Sequence, residues 1–326
     1  MNHINFYNDP FQAGCRWGRS LRRQGVCLAR PYAALLTEER KAFARLCLPH
    51  YERYAPALLK EMKGIAQGNQ IDFFDLFTFV STMYCFTFQP RCTCIAWRKQ
   101  NRAWLGRNSD FFSSLSPWYA HCAIRYPHSL AFQGNTTAFV EMEDGMNEAG
   151  LAVGLTMVYP TIVAPGLNAG VLVRCLLERC ATIEEALRFL TTVPIASQQT
   201  IMMADQTGRI VLVEANRQRV QRVESTGFLV ATNAFCHPDM QKFNAPFPVD
   251  DWQAGLRRQT ATKAMEAGKP VEEILAGRHG FMNPRDVDKD TDTVWSVVYD
   301  CATRTTRRCE GSPARQPFFT DKSLPR

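Results

Sequence analysis

Cys92-Thr93-Cys94-Ile95-Ala96-Trp97, then Arg98-Lys99-Gln100-Asn101-Arg102, then Ala103-Trp104-Leu105-Gly106-Arg107-Asn108-Ser109-Asp110, is the stretch at which the chain changes character. Two runs rich in apolar and β-favouring residues flank a polar turn, which predicts a β-hairpin. Ahead of it the pattern is helical. Residues 32–48, 51–66 and 72–84 carry apolar side chains at three- and four-residue spacing, until Gln89-Pro90 breaks the rhythm. Beyond the hairpin, residues 138–143, the turn Asp144-Gly145-Met146-Asn147-Glu148-Ala149-Gly150 and the run 151–159 read as strand–turn–strand. Two helices follow, over 168–180 and from Thr182, which forms a capping box with Glu185. A third hairpin runs through 201–216, a single strand ends at Asn233, a helix covers 252–267, and a last hairpin spans 293–309. Hairpins interrupted by helices predict an α+β fold of antiparallel sheets covered by helices.

Composition narrows the function classes. Of the 326 residues, 46% are apolar and 21% charged, as in an ordinary globular protein with a large core. The net charge of +7 comes from scattered arginines rather than an aromatic-interleaved basic stripe, so nucleic acid is not an expected partner. The opening residues lack the basic start and apolar run of a secretory signal. The most apolar stretch, 73–88, is too short and too polar for a membrane span. A cytoplasmic protein is the expectation. The twelve cysteines are widely spread, which suits buried reduced thiols better than a disulfide scaffold. Cys92-x-Cys94 has no downstream partner pair and the six histidines are not in ligand spacing, so neither a metal nor a cofactor is expected.

A hairpin brings its ends together, so Arg107 and Asp110 should lie close to Cys92. An arginine draws a thiol towards thiolate. From the hairpin alone, a surface salt bridge and a core cysteine account for these residues equally well.

The run CTCIAW…GRNSDF, then DGMNEAGLAVGLT, then the strand ending Ala231-Thr232-Asn233, together resemble the cysteine N-terminal-nucleophile (Ntn) hydrolases. That group includes choloylglycine hydrolases, penicillin V acylase, N-acylethanolamine acid amidase and acyl-coenzyme A:6-aminopenicillanate acyltransferase. The helical segment before the cysteine, opening on Gly14-x-x-x-Gly18, looks most like the acyltransferase branch, whose members are made with a propeptide. The resemblance implies a four-layer αββα sandwich of two antiparallel sheets, with residues 1–91 as a helical leader and 92–326 as the catalytic domain. It implies a nucleophile at Cys92, with Arg107 and Asp110 orienting the thiol and holding the free α-amino group. Asn233 would donate to the oxyanion together with the backbone N–H near Met157, and either Arg257 or Arg258 would supply a further arginine. Asn147, Glu148 and Gly150 fit a turn role.

The chemistry these residues would serve is attack on a linear amide of an N-acyl small molecule, giving a thioester on Cys92 and then hydrolysis or acyl transfer. No histidine lies near Cys92 in sequence, so the base would be the cysteine's own α-amino group, which exists only if the Arg91–Cys92 bond is cut. Arg91 stands where self-processing relatives usually carry glycine. The cut chains are expected to stay associated, and a homo-oligomer is compatible with them. Phe111, Phe112, Trp118 and Tyr119, which follow Asp110 directly, are the expected lining of an apolar acyl pocket. Two other readings remain open: an unprocessed, non-catalytic binding protein of the same fold, and a redox or metal protein using Cys92 and Cys94.

Overall fold

The computed structural model describes residues 1–86 and 91–322; the break at Gln89-Pro90 lies outside them. Several helices begin where the sequence offers a cap. In α1 (Pro10–Arg23), α3 (Glu38–Tyr54) and α5 (Phe73–Thr82), the side chains of Asp9, Thr37 and Asp72 accept from the N–H groups of Gln12, Arg40 and Asp75, satisfying donors that the first helical turn leaves unpaired. A short helix, α2 (Ala29–Tyr32), and α4 (Pro56–Asn69) complete the segment ahead of Cys92. Helices α1 and α4 cross at Gly14, Gly18, Gly64 and Gly68. A Cβ on Gly64 would lie 2.0 Å from the Phe11 carbonyl oxygen, and one on Gly14 would lie 2.1 Å from that of Glu61, so the crossing distance requires glycine. The remaining helices are α6 (Ala169–Arg179), α7 (Ile183–Thr192), α8 (Pro238–Gln241), α9 (Ala254–Glu266) and α10 (Val271–Leu275).

Among the described residues, fourteen strands form two sheets. They are β1 (Asn2–Tyr7), β2 (Arg91–Lys99), β3 (Arg102–Phe112), β4 (Ala120–Arg125), β5 (Phe132–Thr136), β6 (Asp144–Asn147), β7 (Ala152–Met157), β8 (Gln199–Ala204), β9 (Ile210–Ala215), β10 (Val220–Glu224), β11 (Phe228–Ala231), β12 (Thr291–Asp300), β13 (Thr305–Glu310) and β14 (Phe319–Asp321). One sheet runs β1-β4-β5-β6-β7-β8-β9-β10 and the other β11-β2-β3-β12-β13-β14. All pairs are antiparallel except β1 with β4. The sheets stack through Cys94, Ala96, Leu105, Val297 and Tyr299 of one and Met146, Ala152, Met202 and Leu212 of the other. Helices α9 and α10 cover the outer face of the six-stranded sheet. The helices ahead of Cys92, with α6 and α7, cover that of the eight-stranded sheet. The result is the α+β, helix–sheet–sheet–helix architecture expected from the sequence.

Two details differ from the sequence reading. Residues 138–143 are not a strand: Phe139 has a φ of 58°, and Glu141 and Glu143 are buried through side-chain hydrogen bonds rather than a pleat. The strands lie on either side, at β5 and β6. The segment ahead of Cys92 also contributes β1 to the eight-stranded sheet and shares one apolar core with α6 and α7. All twelve cysteines are free thiols.

Candidate active site

The hairpin turn is tight, with Gln100 at a φ of 56°, and it sets the register Cys92↔Ser109 and Cys94↔Arg107. Because strand side chains alternate, Cys92, Cys94, Arg107 and Ser109 face the space between the sheets. Arg91, Thr93, Asn108 and Asp110 face outward, towards α9. The two sides of the hairpin therefore build two halves of one site.

On the inner side, Arg107 Nη2 donates to the Cys92 sulfur at 2.7 Å and to Glu143 at 2.7 Å, while Nη1 donates to Asp144 at 2.9 Å and Nε to the Leu155 carbonyl at 2.9 Å. The acids are held in turn. Glu143 accepts from Ser109 at 2.9 Å, and Asp144 from Asn135, Trp295 and Tyr299 at 2.6, 2.8 and 2.7 Å. Burial pushes the Cys92 thiol well above the ordinary range, Arg107 pulls it down, and Glu143 pushes it up again. The thiol is thus held protonated. Glu143 and Asp144 escaped the sequence reading. Their signal was Glu141-Met142-Glu143-Asp144, three acids inside an apolar run, where a buried charge requires a partner.

On the outer side, the backbone at Cys92 is gripped from both directions. Its N–H donates to Asn233 Oδ1 at 3.2 Å, and its carbonyl accepts from Arg257 Nη1 at 2.7 Å. Arg257 Nη2 also donates to Asn233 Oδ1 at 2.8 Å, and Asn233 Nδ2 donates to the Met157 carbonyl at 3.0 Å. Two donors at its oxygen and one acceptor at its nitrogen fix the orientation of this amide. In an extended strand the N–H and C=O of one residue leave on the same edge, so the Met157 N–H faces Asn233 as well. Of the two candidate arginines, Arg257 is fully buried in the site and Arg258 is exposed.

Asp110 points away from the sulfur. One oxygen accepts from Thr293 at 2.7 Å; the other lies 3.7 Å from Arg257 Nη1 and has no hydrogen-bond partner. Burial raises its pKa to about 6, against the pull of Arg257. A cavity of about 170 Å³ opens beside these groups, lined by Arg91, Met157, Tyr159, Asn233, Phe247 and Asp251 among others.

The four expected pocket aromatics do not line that cavity. Phe111 and Tyr119 pack with Trp295 in a core cluster of their own, Phe112 lies against Trp252 and Trp118 against Phe139. The apolar run after Asp110 serves packing, and the cavity aromatics come instead from Tyr159 and Phe247, which meet edge to face at 5.3 Å.

Residues 97–315 match the family model described as acyl-coenzyme A:6-aminopenicillanic acid acyl-transferase. The chain belongs to this family. The matched region begins five residues after Cys92 and contains Arg107, Asp110, Asn233 and Arg257. Solved structures similar to it include penicillin V acylase from Agrobacterium tumefaciens (19% identity, 67% of this chain and 83% of that one, TM-score 0.47). A Caenorhabditis elegans N-acylethanolamine-hydrolyzing acid amidase ortholog is also similar (20%, 65% and 93%, 0.48), as is a mutant conjugated bile acid hydrolase from Clostridium perfringens (13%, 72% and 93%, 0.48). No curated protein matches the sequence. Among the described residues, no group of His, Cys, Asp and Glu is arranged to hold a metal, and no helix is long and apolar enough to cross a membrane.

Proposed function

We propose that this family member cleaves or transfers the acyl group of a linear N-acyl amide through a thioester on Cys92, after the Arg91–Cys92 bond is cut. The observation that carries this reading is the convergence on one residue. The sulfur of Cys92 accepts from Arg107, its N–H is held by Asn233, and its carbonyl is held by Arg257. A structural cysteine has no use for three separate anchors on its side chain, amide and carbonyl.

The cut itself balances as an acyl shift. The Cys92 sulfur adds to the Arg91 carbonyl carbon, the C–N bond breaks, the thiol proton ends on the new amine, and water hydrolyses the resulting thioester. The freed α-amino group, with an ordinary pKa of about 8, then serves as proton acceptor for the sulfur when the enzyme meets its substrate. The half-unpartnered carboxylate of Asp110 is the natural acceptor for that ammonium group. During turnover, the second hydrogen of Asn233 Nδ2 and the Met157 N–H donate to the tetrahedral oxyanion, each contributing about 3 kcal/mol of transition-state stabilisation. The amine product leaves with the proton held by the Cys92 amino group, and water or a second amine collects the acyl group. With the cysteine as a first residue, residues 1–91 are a leader that stays bound, because β1 is hydrogen-bonded into the sheet and the core is shared.

Intact mass and N-terminal sequencing, combined with an acyl-amide and penicillin hydrolysis panel, test the proposal. Two fragments meeting at Cys92, with turnover abolished in Cys92→Ala, are expected. A single uncut chain that hydrolyses amides, or activity indifferent to Cys92→Ala, defeats it. An uncut, inactive chain favours a binding protein instead.

A further inference from the structure

Arg91 is bonded directly to the peptide that Cys92 would attack, so its side chain occupies the position of an acyl group's substituent. Strand alternation turns that side chain away from the sulfur and onto the loop before α9. There it is buried, at 6% exposure. Its Nε donates to the Asp250 carbonyl at 3.1 Å, Nη2 donates to the same oxygen, and the guanidinium stands 5.7 Å over the Trp252 ring. Burial and the neighbouring Arg257 lower its pKa to about 10 while Asp251 and Asp250 oppose them, which leaves it charged at neutral pH.

The loop is shaped for cations. Its next two carbonyls, Asp251 and Trp252, accept from Arg257 at 2.9 and 3.1 Å, so three successive carbonyls hold two guanidinium groups side by side. Trp252 and Gln253 both take left-handed backbone angles, with φ of 50° and 57°. Neither is a residue that adopts this conformation without cost, and strain retained in consecutive residues marks a geometry held for use. The adjoining cavity, about 170 Å³, shares Arg91, Asp251 and Asn233 in its wall. An apolar cavity of comparable size accommodates benzene, so there is room here for a short acyl chain.

We propose that the Asp250 carbonyl, the Trp252 ring and the Asp251 carboxylate form a guanidinium subsite on the acyl side of the Cys92 thioester, so that the enzyme takes short cationic acyl groups and its own Arg91 is the first ligand to fill the subsite. This rests on the reading of Cys92 as nucleophile. The ligand chemistry is a guanidinium separated from the scissile carbonyl by the four methylene groups of a desamino-arginine. A cation over an aromatic face and against carbonyl oxygens is bound chiefly where water is excluded, which the burial of Arg91 supplies.

The test compares two 4-nitroanilides on the processed enzyme: 5-guanidinopentanoyl, which copies Arg91 from carbonyl to guanidinium, and 7-methyloctanoyl, its neutral isostere. The guanidino substrate is expected to show at least a tenfold higher kcat/KM, and Trp252→Leu to shrink that ratio to below threefold. The ratio is independent of how much of the variant folds. The same preference is expected in Arg91→Gly, where the leader no longer competes for the subsite. Equal rates, preference for the neutral chain, or a ratio untouched by Trp252→Leu overturn the subsite while leaving the nucleophile in place. Hydrolysis of neither anilide by a processed chain removes the nucleophile reading and the subsite together.

Discussion

Arg107 and Arg174 sit in nearly the same setting, each fully buried between two carboxylates. Arg107 holds Glu143 and Asp144 at 2.7 and 2.9 Å, and Arg174 holds Glu61 and Glu178 at 2.8 and 2.7 Å. The clusters differ in what completes them. Arg107 spends its remaining donors on the Cys92 sulfur and the Leu155 carbonyl, and the acids around it are supplied by serine, asparagine, tryptophan and tyrosine. Arg174 reaches the Val140 carbonyl at 3.2 Å and joins α6 to α4 of the segment ahead of Cys92. There Glu61 accepts from Tyr126 at 2.6 Å and keeps one oxygen unpartnered, with burial raising its pKa. The same ionic composition holds the Cys92 sulfur in one place and fastens two segments in the other. The completing side chains decide which.

The comparison can be broken at either end. Removing the cation at the site has the largest expected effect. Arg107→Met leaves two buried carboxylates without a counter-charge, so unfolding free energy in urea falls by about 3–5 kcal/mol, and amide turnover per folded molecule falls by at least about 10³. Arg174→Met carries a similar stability cost, about 3 kcal/mol or more, and loosens the segment ahead of Cys92. The kcat/KM of the folded fraction stays within about twofold. Steady-state kinetics beside urea unfolding separate the two, and an equal loss of turnover in both variants contradicts the division of labour.

The smallest effect has the opposite sign. The folded-state pKa of Asp110, about 6, lies above its ordinary value of 3.8. Its contribution to stability is therefore fully present below pH 3.8 and lost as pH rises through 6. In a Cys92→Ala background that cannot be cut, Asp110→Asn should raise stability at pH 7.5 by on the order of 2–3 kcal/mol, with the gain vanishing near pH 4. A thermal-unfolding series across pH checks this, and a destabilised variant at pH 7.5 would show that the Arg257 pair outweighs burial.

How much of this was legible depended on periodicity. The hairpin and the capped helices could be read because alternation and N-cap chemistry are local. Strand β1 could not, since a short run, Asn2–Tyr7, at a sheet edge becomes a strand only by pairing with β4, more than a hundred residues away. Residues 138–143 misled because Glu141 and Glu143 mimic the outward residues of a strand while being fully buried. Arg107 was found through its place on the hairpin and in the family motif. Arg257 could have been separated from Arg258 by helix phase, because it shares its buried stripe with Ala254, Ala261 and Ala264. The cavity was out of reach, since Tyr159, Asn233 and Phe247 meet only through tertiary folding.

Strand β1 carries a last consequence. It lies along β4, a strand whose residues from Ala120 to Ile124 are all buried, and so caps the margin of the eight-stranded sheet. A shortened gene beginning at Cys92 would leave the margin at the buried strand β4, an apolar row of open hydrogen-bonding groups of the kind through which sheets of separate molecules join and precipitate. The segment ahead of Cys92 thus covers an apolar strand with a more exposed and polar one, which makes discarding it costlier than its position in the chain suggests.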